Sequence, residues 1–158
     1  INLHPSVPYN LRLKGGVGEA DIDLTNLTVE QLKLDTGVGK VVVTLPIQDM
    51  PITTSINGGI GKTDVIVPAG VSGDIDINGG VGAVDVVVAP EAAIRIEADS
   101  GLGGIDIPRA FERVSGDGHF IGMKGVWQTP NFNEAEKQIV IDYSGGVGSF
   151  RLKYFKVV

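Results

Sequence analysis

The sequence predicts an all-β fold, a single-stranded parallel β-helix (β-solenoid) with about 21 residues per coil. The first observation is a four-residue motif, Gly15-Gly16-Val17-Gly18, which returns five more times in closely similar form. The second is the spacing of its second residue, which stands at positions 16, 37, 59, 80, 101 and 146, in steps of 21, 22, 21, 21 and 45. The third is an alternation of apolar and polar residues on both sides of each copy. A fixed period of this size is typical of repeat architectures.

The segments on either side of each glycine motif are predicted to form strands, because apolar side chains occupy every second position. Before the motif these positions are Leu11/Leu13, Leu32/Leu34, Thr54/Ile56, Ile75/Ile77, Ile96/Ala98 and Ile141/Tyr143. After it they are Ala20/Ile22, Val41/Val43, Thr63/Val65, Val84/Val86, Ile105/Ile107 and Phe150/Leu152. Each coil therefore has a strand, a glycine corner, a second strand and a return loop. Six to seven such coils are expected to stack in parallel, about 4.8 Å apart, with a right-handed winding.

The apolar residue between the glycines of each motif is predicted to point inward and to stack on its equivalent in the next coil. These residues are Val17, Val38, Ile60, Val81, Leu102 and Val147. On this prediction Val81→Asp costs several kcal/mol, since it buries an unpaired charge. Asp85→Ser, in a row of outward acids, is then near neutral. A row of polar residues is predicted to form a stacked ladder beside the corner: Asp35, Asn57, Asn78 and Asp99.

The chain is predicted to be one domain with four segments. Residues 1–10 form a lead-in that caps the first coil, and residues 11–107 form the regular coils. Residues 108–138 form an irregular insert, and residues 139–158 form the closing coil.

The insert concentrates aromatic side chains, namely Phe111, Phe120, Trp127 and Phe132. Because aromatic residues supply many of the hot spots of protein interfaces, Trp127 and Phe132 are predicted to border a partner-binding or self-association patch. The alternative is that these rings only cover the core or fill the last coils.

Composition argues against several classes of function. Thirteen basic and nineteen acidic residues give a net charge of -6, which disfavours binding to nucleic acid. The chain has no cysteine, and its two histidines, His4 and His119, lie in the lead-in and the insert. No pattern of catalytic or zinc-binding residues results. We therefore predict that the chain is not an enzyme and binds no cofactor.

A row of acids, Asp21, Asp64, Asp85 and Asp106, follows four of the glycine motifs. Calcium-binding β-rolls place an acid two residues after the last glycine and repeat every nine residues. Here the acid comes three residues after that glycine, in a period of about 21. The row is therefore predicted to be a solvated face that holds no metal, with a cation site as the alternative.

The repeated Gly-Gly-Val-Gly motif, followed by alternating Val/Ile and a proline, resembles the bacterial toast-rack domains. These are β-solenoid modules related to the C-terminal part of LiaF-type cell-envelope stress proteins. The resemblance extends from about Leu11 to Tyr154. It implies a non-catalytic scaffold or interaction domain of the cell envelope with a role in stress sensing. It also implies a protein partner or self-association, with membrane attachment only through a segment outside this chain.

The residues leave open one alternative from a different class, a carbohydrate-binding or carbohydrate-active β-helix. Such a protein needs outward aromatic rings for stacking on sugars and clustered carboxylates for chemistry. Only Trp127 and the row of aspartates point in that direction.

Overall fold

The computed structural model describes residues 3–116 and 123–156. The strands are β1 (Pro8–Lys14), β2 (Val17–Asp23), β3 (Thr28–Asp35), β4 (Val38–Thr44), β5 (Ile52–Asn57), β6 (Ile60–Val67), β7 (Gly73–Asn78), β8 (Val81–Val88), β9 (Ala93–Leu102), β10 (Ile105–Asp106), β11 (Glu112–Ser115), β12 (Lys124–Gln128) and β13 (Gln138–Tyr154). A single 3₁₀ turn, Phe132–Glu134, precedes β13 in the described part of the chain.

The strands stack in two parallel rows that meet at the glycine corners. The pre-corner row runs β1-β3-β5-β7, then the first half of β13, then β9. The post-corner row runs β2-β4-β6-β8, then the second half of β13, with β10 paired beyond it. The predicted all-β parallel solenoid is therefore confirmed, with six coils each built around one glycine motif.

The last coil in sequence is not the last coil in space. β13 inserts between the β7/β8 coil and the β9/β10 coil, so Ile141 pairs with both Ile75 and Ile96. In the same way Phe150 pairs with both Val84 and Ile105. The order of the repeats along the chain would have placed this coil at the end of the stack.

The core lies between the two rows and consists of the alternating inward residues. Leu32, Ile56, Ile77 and Ile141 are fully buried, and each such side chain contributes roughly 1.5–3 kcal/mol. Tyr143 and Phe150, on the two halves of β13, face each other with ring centroids 4.5 Å apart. The predicted alternation of strand residues is thus the pattern that builds the core.

The insert closes the β9 end of the solenoid. β11 and β12 form an antiparallel hairpin, and β12 adds to β9 in antiparallel register. Trp127 lies opposite the buried Ile96 and packs against the core, and Phe111 lies 6.2 Å from the ring of Tyr154. The rings of Trp127 and Phe111 therefore cover the core, which is the alternative that the sequence left open for the insert. Phe120 and His119 lie outside the described residues.

The corner residues overturn one prediction. The apolar residue of each glycine motif points outward and is exposed to solvent. Counting back by twos from the inward Ala20 places Gly18 on the inner side of the corner and Val17 on the outer side. The prediction was wrong because the alternation changes phase at the corner. Inward residues are odd-numbered in β1 and even-numbered in β2, and Val17 follows the phase of β2.

Candidate docking surface

Six apolar side chains form an exposed ladder along the outer edge of the corner. Val17 is 89% exposed, and the other five are between 46% and 59% exposed. In spatial order the corner ladder is Val17, Val38, Ile60, Val81, Val147 and Leu102. Each rung pairs in register with the next, so the spacing is that of parallel strands, about 4.8 Å.

The glycines beside the ladder are required by the close stacking of coils. Gly61 has φ of +134°, a region that side chains with a Cβ rarely adopt. A Cβ at this residue would lie 1.9 Å from the carbonyl oxygen of Gly39 in the neighbouring coil. The apolar rungs therefore stand between residues without side chains, and nothing flanking them covers them.

The outward position of the ladder gives a prediction opposite to the one made from the sequence. Val81→Asp is expected to change the free energy of unfolding by less than about 1 kcal/mol, because the new carboxylate is solvated. Ile77→Asp, a matched change at a fully buried neighbour, is expected to prevent folding, since it buries an unpaired charge. Urea denaturation of both variants measures the difference. Equal losses would place Val81 in the core after all.

A charged row runs parallel to the ladder on the outer face of the pre-corner row. One other row lies between the two, namely Lys14, Asp35, Asn57, Asn78, Ser144 and Asp99. In spatial order the charged row is Arg12, Lys33, Ser55, Asp76, Asp142 and Glu97. It is basic in the first two coils and acidic in the last three. Burial raises the pKa of Asp142, and the adjacent carboxylates Glu97 and Asp76 raise it further. The acidic half of the row is thus electrostatically crowded.

The predicted polar ladder at the corner is present in three successive coils. The Asn57 side-chain amide donates a hydrogen bond to Asp35 at 2.7 Å, and Asn78 donates to Asn57 at 3.3 Å. The hydrogen bond from Asn57 also lowers the pKa of Asp35. Asp99 is separated from Asn78 by Ser144 of β13 and instead lies 3.7 Å from Lys124.

Asp85 departs from its predicted place in a solvated row. It is 1% exposed and lies under three cations. Arg151 and Lys153 each donate a hydrogen bond of 2.8 Å to its carboxylate, and Lys62 lies 3.2 Å away. Burial alone would raise the pKa of Asp85, but these three partners outweigh it and lower the pKa. The prediction that Asp85→Ser is near neutral is therefore wrong.

The two aromatic residues predicted to bind a partner are not equally accessible. Phe132 is 7% exposed, in the 3₁₀ turn, and so does not line a surface. Trp127 is partly buried, and the Arg113 guanidinium lies 5.6 Å from the centroid of its ring. A role for Trp127 at an interface stays a prediction, and the corner ladder presents six exposed apolar side chains.

Other site chemistry is sparse in the part of the chain that the structure describes. Within residues 3–116 and 123–156, no group of three or more His, Asp or Glu side chains is placed to hold a metal ion. Over the same residues, no helix is long and apolar enough to span a bilayer. The hydroxyl of Ser6 lies 2.9 Å from Nδ1 of His4 in the exposed lead-in. A Ser-His-Asp triad also needs an acid that orients the imidazole.

Comparison with known proteins agrees with the fold and the repeat. Residues 1–66 match the family model described as the N-terminal domain of toast_rack, DUF2154. The resemblance predicted from the glycine motifs is thereby confirmed.

The chain also resembles a solved structure along most of its length. That structure is of a putative cell adhesion protein from Clostridium sporogenes, with a TM-score of 0.74 and 16% sequence identity. The match covers 95% of this chain and 93% of the other. At this identity the likeness shows a shared fold. No curated protein matches the chain.

Proposed function

We propose that this toast-rack domain is a non-catalytic scaffold that docks protein partners at the cell envelope through its corner ladder. The observation that carries the proposal is the exposure of all six rungs. A contiguous exposed apolar stripe is costly in water and is a common mark of an interaction surface. The family match and the adhesion protein of the same fold support the cellular setting.

The repetition of the ladder supports docking rather than chance exposure. Each of the six coils places Val, Ile or Leu at this position, although the position is exposed to solvent. The backbone of the corner holds the rungs in place, so little conformational entropy is lost when a partner binds them. We extend the proposal to envelope stress sensing, in which such a scaffold would hold a signalling partner.

The carbohydrate-binding alternative has less support. Trp127 and Phe111 pack toward the core instead of presenting their rings to a groove. The carboxylate of Asp85, the most enclosed acid of its row, is already engaged by three cations.

Site-specific photo-crosslinking in the producing cells tests the proposal. A photoreactive phenylalanine analogue is placed at Ile60, in the middle of the ladder, and in a matched variant at Glu91. Glu91 is exposed in a return loop, at the opposite end of the strands from the corner. We expect crosslinks to other polypeptides of the envelope fraction from position 60 and few from position 91. Equal crosslinking at both positions, or none at position 60, would contradict docking through the ladder.

A further inference from the structure

We propose that the corner ladder binds a second copy of this chain, with the two solenoids side by side and antiparallel. The proposal rests on the proposed function, since it names the occupant of the same surface. The basis of the proposal is that the corner ladder and the charged row each complement themselves when a second copy is turned end over end.

A two-fold axis perpendicular to the ladder reverses the order of the coils while keeping each row opposite itself. The ladder has six rungs, so the axis passes between the third, Ile60, and the fourth, Val81. Ile60 then faces the partner's Val81, and Val38 faces the partner's Val147. Every rung meets another apolar rung at the same spacing, as an isologous interface requires.

The charged row becomes self-complementary under the same rotation. Arg12 in the first coil faces Glu97 in the last coil of the other copy, and Lys33 in the second coil faces Asp142 in the fifth. Ser55 and Asp76 meet near the axis. The crowded acidic half of each chain thus faces the basic half of its partner. In a parallel pair the two-fold axis runs along the ladder, so the charged row faces the partner's row on the other side of the ladder. Arg12 then meets Glu19, but Lys33 meets Lys40 and the acidic half meets no cation, which is less favourable.

The residues on the other side of the ladder do not oppose this arrangement. In spatial order they are Glu19, Lys40, Lys62, Ala83, Ser149 and Gly104. Rotation places the three charged members opposite the three that carry no charge. The antiparallel pair therefore gains ion pairs on one side of the ladder without repulsion on the other.

Cysteine crosslinking can read this register because the chain has no cysteine of its own. Val38→Cys and Val147→Cys are made separately, with one carrying a mass tag, and are mixed and oxidised. We expect the mixed Val38–Val147 disulfide to dominate. Two copies of residue 38 are three coil spacings apart in the antiparallel pair, about 14 Å, too far for a disulfide. Dominant 38–38 and 147–147 products would overturn the antiparallel arrangement.

Charge reversal tests the complementarity separately. Arg12→Glu with Lys33→Glu is expected to raise the dimer dissociation constant at least tenfold by sedimentation analysis. Glu97→Lys with Asp142→Lys should do the same, and the chain with all four changes should dimerise like the original. The four residues are exposed, so melting curves can verify that each variant is folded. Failure of the fourfold variant to regain the dimer would contradict the pairing.

The outcomes separate this inference from the proposed function. A chain that stays monomeric at several hundred micromolar, while position 60 still crosslinks to other envelope polypeptides in cells, overturns the dimer and leaves the scaffold standing. A dimer in vitro with the 38–147 product, and position 60 crosslinked to its own chain in cells, supports the dimer. A monomer with no crosslinks from position 60 would overturn both.

Discussion

Gly61→Ala is expected to lower the free energy of unfolding by about 2–6 kcal/mol, enough to unfold a marginally stable domain. Two separate costs meet at this residue. The backbone φ of +134° is strained for any residue with a Cβ, at about 1–3 kcal/mol. The added Cβ would also lie 1.9 Å from the Gly39 carbonyl oxygen, and overpacking of this kind costs a further 1–3 kcal/mol or so. A side-chain movement cannot relieve either cost, because the atom that the new Cβ would meet is a backbone oxygen.

The repeat offers controls that separate the two costs. Gly18 has φ of +127° but open space around its Cβ position, whereas Gly59 has no positive φ but a Cβ position 1.9 Å from the Gly37 carbonyl oxygen. Gly16 has neither restriction. Urea denaturation should therefore rank the alanine variants, with Gly16 near neutral, Gly18 and Gly59 intermediate, and Gly61 worst. A large loss at Gly16, or a small one at Gly61, would mean that coil stacking does not set the need for glycine.

The repeat made the fold predictable, and it also shows where pattern reasoning stops. Period-two alternation identified the strands and the inward residues Leu32, Ile56 and Ile77, all of which are buried. The alternation changes phase at the corner, from odd-numbered inward residues in β1 to even-numbered ones in β2, so it does not say which phase Val17 follows. The apolar character of Val17 favoured burial, whereas Val17 follows the phase of β2 and lies outside.

The order of the coils in space could not be predicted from the sequence, for a different reason. Ile141 and Ile96 carry the same pattern, so the pattern says that each belongs to a strand and not which strand lies beside it. The insertion of β13 also decides the environment of Asp85. Arg151 and Lys153 come from β13, which lies next to β8 only because the last coil inserts there. Asp85 was therefore indistinguishable in sequence from Asp21 in the same row.

The burial of Asp85 leads to a second large effect, a loss of about 2–3 kcal/mol of unfolding free energy in Asp85→Asn near neutral pH. Removing one partner of a buried ion pair costs about 3–5 kcal/mol, because the remaining charge is left unpaired. The figure is lower here because Arg151, Lys153 and Lys62 are each about 40–46% exposed at their side chains and regain water. Asp21→Asn, in the same row but exposed, should change stability by less than about 0.5 kcal/mol.

The pH dependence distinguishes this charge effect from a loss of packing. The pKa of Asp85 is lower in the folded chain than its ordinary value of 3.8, so its ionised form stabilises the fold. That contribution is fully present above the unfolded-state pKa and disappears as the pH falls through the folded-state pKa. The stability difference between the original chain and Asp85→Asn should thus be constant from about pH 5 upward and shrink as the pH falls below about 4. Chemical denaturation at a series of pH values measures it. A stability difference that stays the same down to the lowest pH at which the chain folds would show that the carboxylate contributes by shape alone. A difference that disappears at low pH would show that the charge of Asp85, paired with its three cations, holds β8 against the inserted β13.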